Sequence, residues 1–305
     1  MVRKLAFLVA LIAVVGATAF WYVTSPASVP AHALAPYAPN LATGKTVFHA
    51  GGCASCHATP DQEDGTRLGG GRALKSPFGT FYAPNISPHR DDGIGNWSEA
   101  EFVTALWTGT APDGRHYFPA FPFTSYQRMT LDDARDLFAY IKTLPEVPGR
   151  ARDHDLRLPF GMRRLVAVWK LLFLDGEPHR PDPSKSSQWN RGAYLVNALA
   201  HCAECHSPRN ALGAIRSDHR FAGGPSPTGE GWVPNITQRG TGDYSEKQLA
   251  ALLETGEIAD GTDFVGGDMA VVVRNTAQLA PEDRAAIATY IKALPPVEGP
   301  PKPRK

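Results

Sequence analysis

Apolar and polar positions divide the chain into distinct stretches. Residues 5–23, LAFLVALIAVVGATAFWYV, run without a single charge, and about 20 such residues cross a bilayer as a helix. Residues 24–39, TSPASVPAHALAPYAP, are Pro/Ala-rich with no helical period, which predicts a semi-extended tether. From residue 40 onward, short blocks of helical periodicity alternate with Gly- and Pro-rich breaks. Sustained period-two alternation is hard to find, so the pattern predicts a mostly α fold.

The blocks come twice. YAPNISPHRDDGIGNWSEAEFVTALWTGTAPDGRHYF (82–118) has a counterpart in WVPNITQRGTGDYSEKQLAALLETGEIADGTDFV (232–265), and LDDARDLFAYIKTLPEVPG (131–149) in APEDRAAIATYIKALPPVEG (280–299). A constant offset of this kind marks a duplicated unit. The expected organisation is an N-terminal membrane anchor or signal at 1–24, a tether at 25–39, and a first domain at 40–148. A linker at 149–185, a second domain at 186–298 and a tail at 299–305 follow.

Within each unit the first helix (41–50 and 190–200) carries a glycine, Gly44 or Gly192, expected to let the first and last helices cross closely, with an ordinary loop glycine as the alternative. An aromatic, Phe48 or Tyr194, follows it. A middle helix begins at Ser98 with Glu101 in capping-box position, mirrored by Ser245 and Gln248. A closing helix runs 131–143 with Leu137, Phe138 and Ile141 on one face, mirrored at 281–293, and Pro145 and Pro295 stop it. The linker contains MRRLVAVWKLLFL (162–174), apolar almost all round and too short to span a membrane, which predicts a helix packed between the two domains, with docking to a partner subunit or to the membrane surface as the alternative. DGEPHRPDPSK then reads as a Pro-rich link.

Composition narrows the function classes. With 31 basic and 30 acidic residues in 305, the charge balance points to neither a nucleic-acid surface nor a polybasic membrane patch. Length suffices for two domains with separate cores. Arg3 and Lys4 keep the N-terminus cytoplasmic, and Trp21 and Tyr22 suit the far interface. ATA at 17–19 also resembles a signal-peptide cleavage site. On either reading the chain from about residue 25 is exported.

The four cysteines all lie in CASCH (53–57) and CAECH (202–206). A disulfide or thioredoxin-like pair does not require the following histidine, and zinc knuckles stand closer together than the 149 residues separating these. Covalent haem attachment by C-x-x-C-H explains every feature. Two thiols form thioethers to the porphyrin, and the adjoining imidazole reaches the iron. Cys53, Cys56 and His57 are thus expected to hold one haem c, and Cys202, Cys205 and His206 a second.

A methionine as the sixth ligand gives a higher potential than a second histidine. Met269, expected in a Gly-rich loop, VGGDMAVVV, about ten residues before the closing helix, is placed to fold over the second haem. In the first unit the equivalent stretch is FPAFPF, without methionine. Met129 in SYQRMTLDD is the candidate there, with His116 in GRHYFPAF as the alternative; Met162 reads as packing. The other histidines show no spacing logic and are expected in solvent. The two PNI stretches are expected to line the haem edge, where Asn85 and Asn235 bond a propionate, orient a ligand or cap a turn. Tyr82, Trp97 and Trp107 are expected to pack the haem.

LGGGRALKSPFGTFYAPNISP, GRHYFPAFPFTSYQRMTLDD, LPFGMRRL with LLFLD, WNRGAYLVNALAHCAECHSPRNALG and GGDMAVVVRNTAQLAPEDRAAIATYIKALP resemble the membrane-anchored cytochrome c subunits of bacterial periplasmic dehydrogenases. These serve alcohol, gluconate and related substrates and include subunits paired with molybdenum hydroxylases. The resemblance covers most of 40–298. It implies two tandem class I cytochrome c-like haem domains that relay electrons from a catalytic subunit to ubiquinone or another cytochrome. Many members carry three C-x-x-C-H sites where this chain has two, and some have a methionine where it has Phe121. The expected function is therefore electron transfer at the periplasmic face of a bacterial inner membrane, with a dehydrogenase subunit, a cytochrome or a terminal oxidase as redox partner. The competing expectation is a dihaem enzyme such as a cytochrome c peroxidase, which needs one iron with an open face.

Overall fold

The computed structural model describes residues 1–62, 64–229, 231–258, 261 and 263–302. The last three residues of the expected tail, and three within the repeated stretch 232–265, lie outside it. Helix α1 (Val2–Val23) buries none of its residues and is long and apolar enough to cross a membrane. The tether then runs along the first unit. Val29 N donates to Thr104 Oγ1 (2.9 Å), and Tyr37 and Asn40 both reach the Asp136 carboxylate.

Helix α2 (Leu41–Ala50) starts where Asn40 accepts from the amides of Ala42 and Thr43. It leads through Gly52, at φ 60°, into α3 (Cys53–His57), the first attachment turn. Strands β1 (Ala73–Ser76) and β2 (Gly79–Tyr82) form a hairpin that the sequence pattern does not announce. Four-residue strands that are only half buried leave little alternation to read. Helix α4 (Glu99–Thr108) opens with the full Ser98–Glu101 capping box. A single turn, α5 (Phe123–Tyr126), precedes α6 (Leu131–Ile141), whose Leu137, Phe138 and Ile141 are buried as expected.

The linker does not stand apart. Strand β3 (Asp155–Leu156) adds to β2. Helix α7 (Arg163–Phe173) buries Val166, Ala167 and Lys170 but exposes Leu165, Leu171 and Leu172. The expectation of a helix packed between the domains is thus half right: one side is covered and the other is open.

The second unit repeats the first. Helix α8 (Ser187–Tyr194) continues into a π-turn at Leu195–Leu199, and α9 (Ala203–His206) is the second attachment turn. Strands β4 (Gly224–Pro225) and β5 (Trp232–Val233) pair. Helices α10 (Gln238–Thr241), α11 (Glu246–Thr255), α12 (Gly267–Thr276) and α13 (Pro281–Lys292) follow. The Ser245–Gln248 capping box is complete.

In both units the first helix crosses the last at the predicted glycine. A Cβ on Gly44 would lie 2.1 Å from the Asp136 carbonyl oxygen, and one on Gly192 would lie 1.9 Å from that of Ala286. The apolar core is built on these crossings. Val47, Phe48, Leu137 and Ile141 fill the first, and Tyr194, Ala286, Ile287 and Ile291 the second.

Candidate haem-attachment sites

Each C-x-x-C-H segment is one turn of helix, so its two thiols and imidazole share a face. The four cysteines are unpaired and half-buried. Burial raises Cys53 to about 12, Cys202 to about 12 and Cys205 to about 11. Neutral thiols of this kind are poor zinc ligands or exchange nucleophiles but are the form available for thioether bonds. Among the described residues no cluster of three His, Cys, Asp or Glu could hold a bare metal ion. A porphyrin brings its own four nitrogens and needs from the chain only axial ligands.

The histidines are oriented for that role. His57 Nδ1 lies 2.8 Å from the carbonyl oxygen of Pro84, and His206 Nδ1 lies 2.8 Å from that of Pro234. A carbonyl accepts, so Nδ1 carries the proton and Nε2 keeps its lone pair. Burial lowers both imidazoles and keeps them neutral, against the smaller opposing effect of these carbonyls. Fixing a ligating imidazole through its other nitrogen is how a second layer of contacts tunes a metal. Sequence reasoning singled out the PNI stretches for their asparagines; the proline carbonyl is the group that meets the histidine.

The asparagines hold that proline in place. Asn85 Nδ2 donates to the carbonyls of Val147 (2.7 Å) and Gly149 (2.8 Å), and its Oδ1 accepts from Ser87 N. Asn235 repeats the pattern with Val297 O and Thr237 N. Each caps its own turn through Oδ1 and clasps its loop, through Nδ2, to the segment beyond the closing helix.

Met129 is 2 % exposed, and its carbonyl accepts from Trp107 Nε1 at 3.1 Å. Leu279 stands at the same place in the second unit, just before the closing helix, and is 4 % exposed. Met269 falls in the first turn of α12, not in a loop, and packs partly buried against the core. His116 has both ring nitrogens engaged: Nε2 donates to Thr24 O (3.1 Å), and Nδ1 accepts from Lys170 Nζ (3.1 Å). Met162 is exposed. Trp97 and Trp107 pack on the core, while Tyr82 lies under the Arg152 guanidinium.

The other histidines are not uniformly in solvent. His154 accepts from Tyr82 N and packs between Phe81 and Phe118. His201, at φ 41°, reaches Gly51 O at 3.3 Å. That last contact joins the residues preceding the two attachment turns, so the turns meet across the boundary between units. Tyr126 donates to the same carbonyl at 2.9 Å, Asn275 donates to Ser55 Oγ at 2.8 Å, and Arg72 pairs with Asp268 at 2.9 Å. Glu204, inside the second turn, accepts from Thr124 (2.6 Å) and Ser125 (3.2 Å) of the first unit and pairs with Arg209 at 2.7 Å. The negative charge of Asp268 bears on both Cys56 and Cys205.

The cytochrome c family model matches residues 41–145 and again 189–295. The chain belongs to the cytochrome c family. A diheme cytochrome c-type protein of Cereibacter sphaeroides is 43% identical to this cytochrome over 298 residues, which is 97% of the chain and 99% of the relative. A nicotinate dehydrogenase subunit of Pseudomonas putida is 40% identical over 258 residues, 84% of the chain but 21% of that protein. The fructose dehydrogenase cytochrome subunit of Gluconobacter japonicus is 37% identical over 278 residues, 89% and 55% respectively. The cytochrome therefore spans nearly the whole of the first relative, a fifth of the second and about half of the third.

Two C-x-x-C-H turns in two cytochrome c units make this a dihaem c-type cytochrome, an electron-transfer protein rather than a catalytic subunit. The peroxidase reading gains no support from these relatives.

Proposed function

We propose that this cytochrome is held in the bacterial inner membrane by α1, with both haem units in the periplasm. There it carries electrons from a dehydrogenase catalytic subunit to quinone, another cytochrome or a terminal oxidase. Bound haem iron supplies a one-electron couple at each site; the chain's part is to hold, tune and adjoin the two. The observation that carries the reading is the meeting of the attachment turns at His201 and Gly51, which brings the two sites together against one apolar core. The dehydrogenase subunits among the relatives support the class of donor.

Met269 is proposed as the second axial ligand of the second iron and Met129 of the first. The engagement of both His116 nitrogens supports Met129 over His116. Burial alone does not assign Met129, because Leu279 is buried at the matching place without a ligating atom. Ferric-state absorption and electron paramagnetic resonance of Met129→Leu and Met269→Leu, matured in a host that attaches haem c, decide it. Each variant is expected to lose the thioether-to-iron charge-transfer band of one haem and gain a high-spin, carbon-monoxide-binding site. A Met129→Leu protein with an unchanged spectrum makes Met129 a core residue like Leu279. Isolation from native membranes, with identification of the proteins that accompany it, tests the donor.

A further inference from the structure

The strongest feature that electron relay leaves unused is the open side of α7. At about 100° per residue, Arg164, Leu165, Val168, Leu171 and Leu172 share one side of this helix. Leu171 and Leu172 are 60% and 63% exposed. The approach to the helix adds Leu158, Phe160 and Met162, all exposed. A contiguous exposed apolar strip of this size marks a contact surface.

What it contacts follows from Arg164. Its guanidinium lies 3.7 Å from the ring centroid of Trp21 and donates to the Trp21 carbonyl at 3.3 Å. Trp21 is in the last turn of α1, where an anchor leaves the hydrocarbon and aromatic residues sit among headgroups. The chain end there is docked, not loose: Thr24 is buried, and its carbonyl accepts from His116. Arg164 belongs to the apolar side of α7, so that side is the one turned toward the end of the anchor. The helix has 11 residues, roughly 16 Å at 1.5 Å per residue, too short to span a bilayer. Its opposite side is held on the first unit, where Lys170 Nζ donates to Gly109 O at 2.7 Å.

We propose that α7 lies in the headgroup–acyl boundary of the membrane that α1 crosses. Its leucines are inserted and Arg164 sits at the phosphate level, giving the first haem unit a second seat on the lipid surface. Two attachments fix the orientation of the haem units above the bilayer, where the anchor alone would leave them free to turn about its axis. The occupant is phospholipid, argued from continuity with the anchor, and not a partner protein. This rests on the reading of α1 as a membrane anchor.

The test uses the full-length holo-protein in vesicles of phosphatidylethanolamine and phosphatidylglycerol, with a benzophenone amino acid at one of four exposed positions. Val14 probes the anchor, Leu165 and Leu172 the proposed seat, and Leu41 a surface away from it. Mass spectrometry after illumination is expected to find lipid adducts at 14, 165 and 172, about tenfold above position 41. Adducts at 14 but only background at 165 and 172 overturn the seat and leave the anchor standing. Background at 14 as well overturns the anchor and the seat with it. A protein adduct at 165 in native membranes, in place of lipid, also overturns it and makes this face a subunit interface. All four positions are exposed, and an unaltered haem spectrum certifies the fold of each variant.

Discussion

The backbone of Gly44 passes so close to Asp136 that a methyl group on it would stand 2.1 Å from the Asp136 carbonyl oxygen and 2.8 Å from Tyr140 Cβ. Neither obstacle is the far end of a flexible side chain, so the helices would have to separate. Gly44→Ala is expected to lower stability by at least about 2 kcal/mol, toward the upper range for overpacking. Gly192→Ala, facing Ala286 and Tyr290 in the same way, should do likewise. Gly161→Ala, whose nearest neighbours would be 3.9 Å away, serves as the control. Guanidinium midpoints read by haem absorbance check this; equal midpoints for all three would sink the crossing.

That crossing was legible from the sequence because a small residue at one spacing, repeated in a second copy, leaves a pattern. So were the attachment turns and both capping boxes, since Ser98 with Glu101 and Cys53 with Cys56 and His57 are side-chain motifs at fixed offsets. The carbonyl of Pro84 was not, because a main-chain oxygen is present at every residue and only the fold decides which one meets an imidazole. The one-sided burial of α7 was hidden for a related reason. Its period sets Arg163 and Lys170 opposite Leu165, Leu171 and Leu172, and only the fold decides that the side with Lys170 is the covered one.

Asn85 tests the indirect hold on His57. Asn85→Ala removes both hydrogen bonds to Val147 and Gly149 and leaves the buried Val147 carbonyl only the longer contact with Ser87 Oγ at 3.3 Å, a cost of about 1 kcal/mol. The loop carrying Pro84 loosens, so the first haem should also change its potential and its electron paramagnetic resonance anisotropy while the second is unmoved. Asn235→Ala should reverse the assignment. Stability lost without any change at either iron would reduce the asparagines to loop clasps.

Glu204 places a carboxylate inside the second attachment turn. Burial pushes it up, but Arg209 and Thr124 outweigh burial and hold it below the usual carboxylate range, so it is ionised at neutral pH. A nearby negative charge favours ferric over ferrous iron. Glu204→Gln should raise the second haem's potential by on the order of tens of millivolts, with 59 mV equal to a tenfold change for one electron. The first haem should move less. Spectroelectrochemical titration separates the two couples, and an unchanged or lowered second potential would contradict the argument.

Lys170 is buried against Gly109, His116 and Phe123, and burial lowers it from its ordinary 10.5 to about 7. His116, itself lowered by burial and by Lys170, accepts the proton of Nζ through Nδ1. Between about pH 7 and 10.5 the unfolded chain binds a proton at Lys170 that the folded chain does not, so stability rises with pH across that window. Below pH 7 both states are protonated and the burial cost is present in full. Above 10.5 both are neutral and it is gone. Lys170→Met keeps the stem and removes the charge, so it should exceed the wild type in melting temperature most at pH 6. The gap should narrow steadily toward pH 10. Melting curves across this range check the sign. A gap that widens with pH would mean that the Gly109 hydrogen bond and the Phe123 ring hold the ammonium better than water does, and that Lys170 is charged throughout.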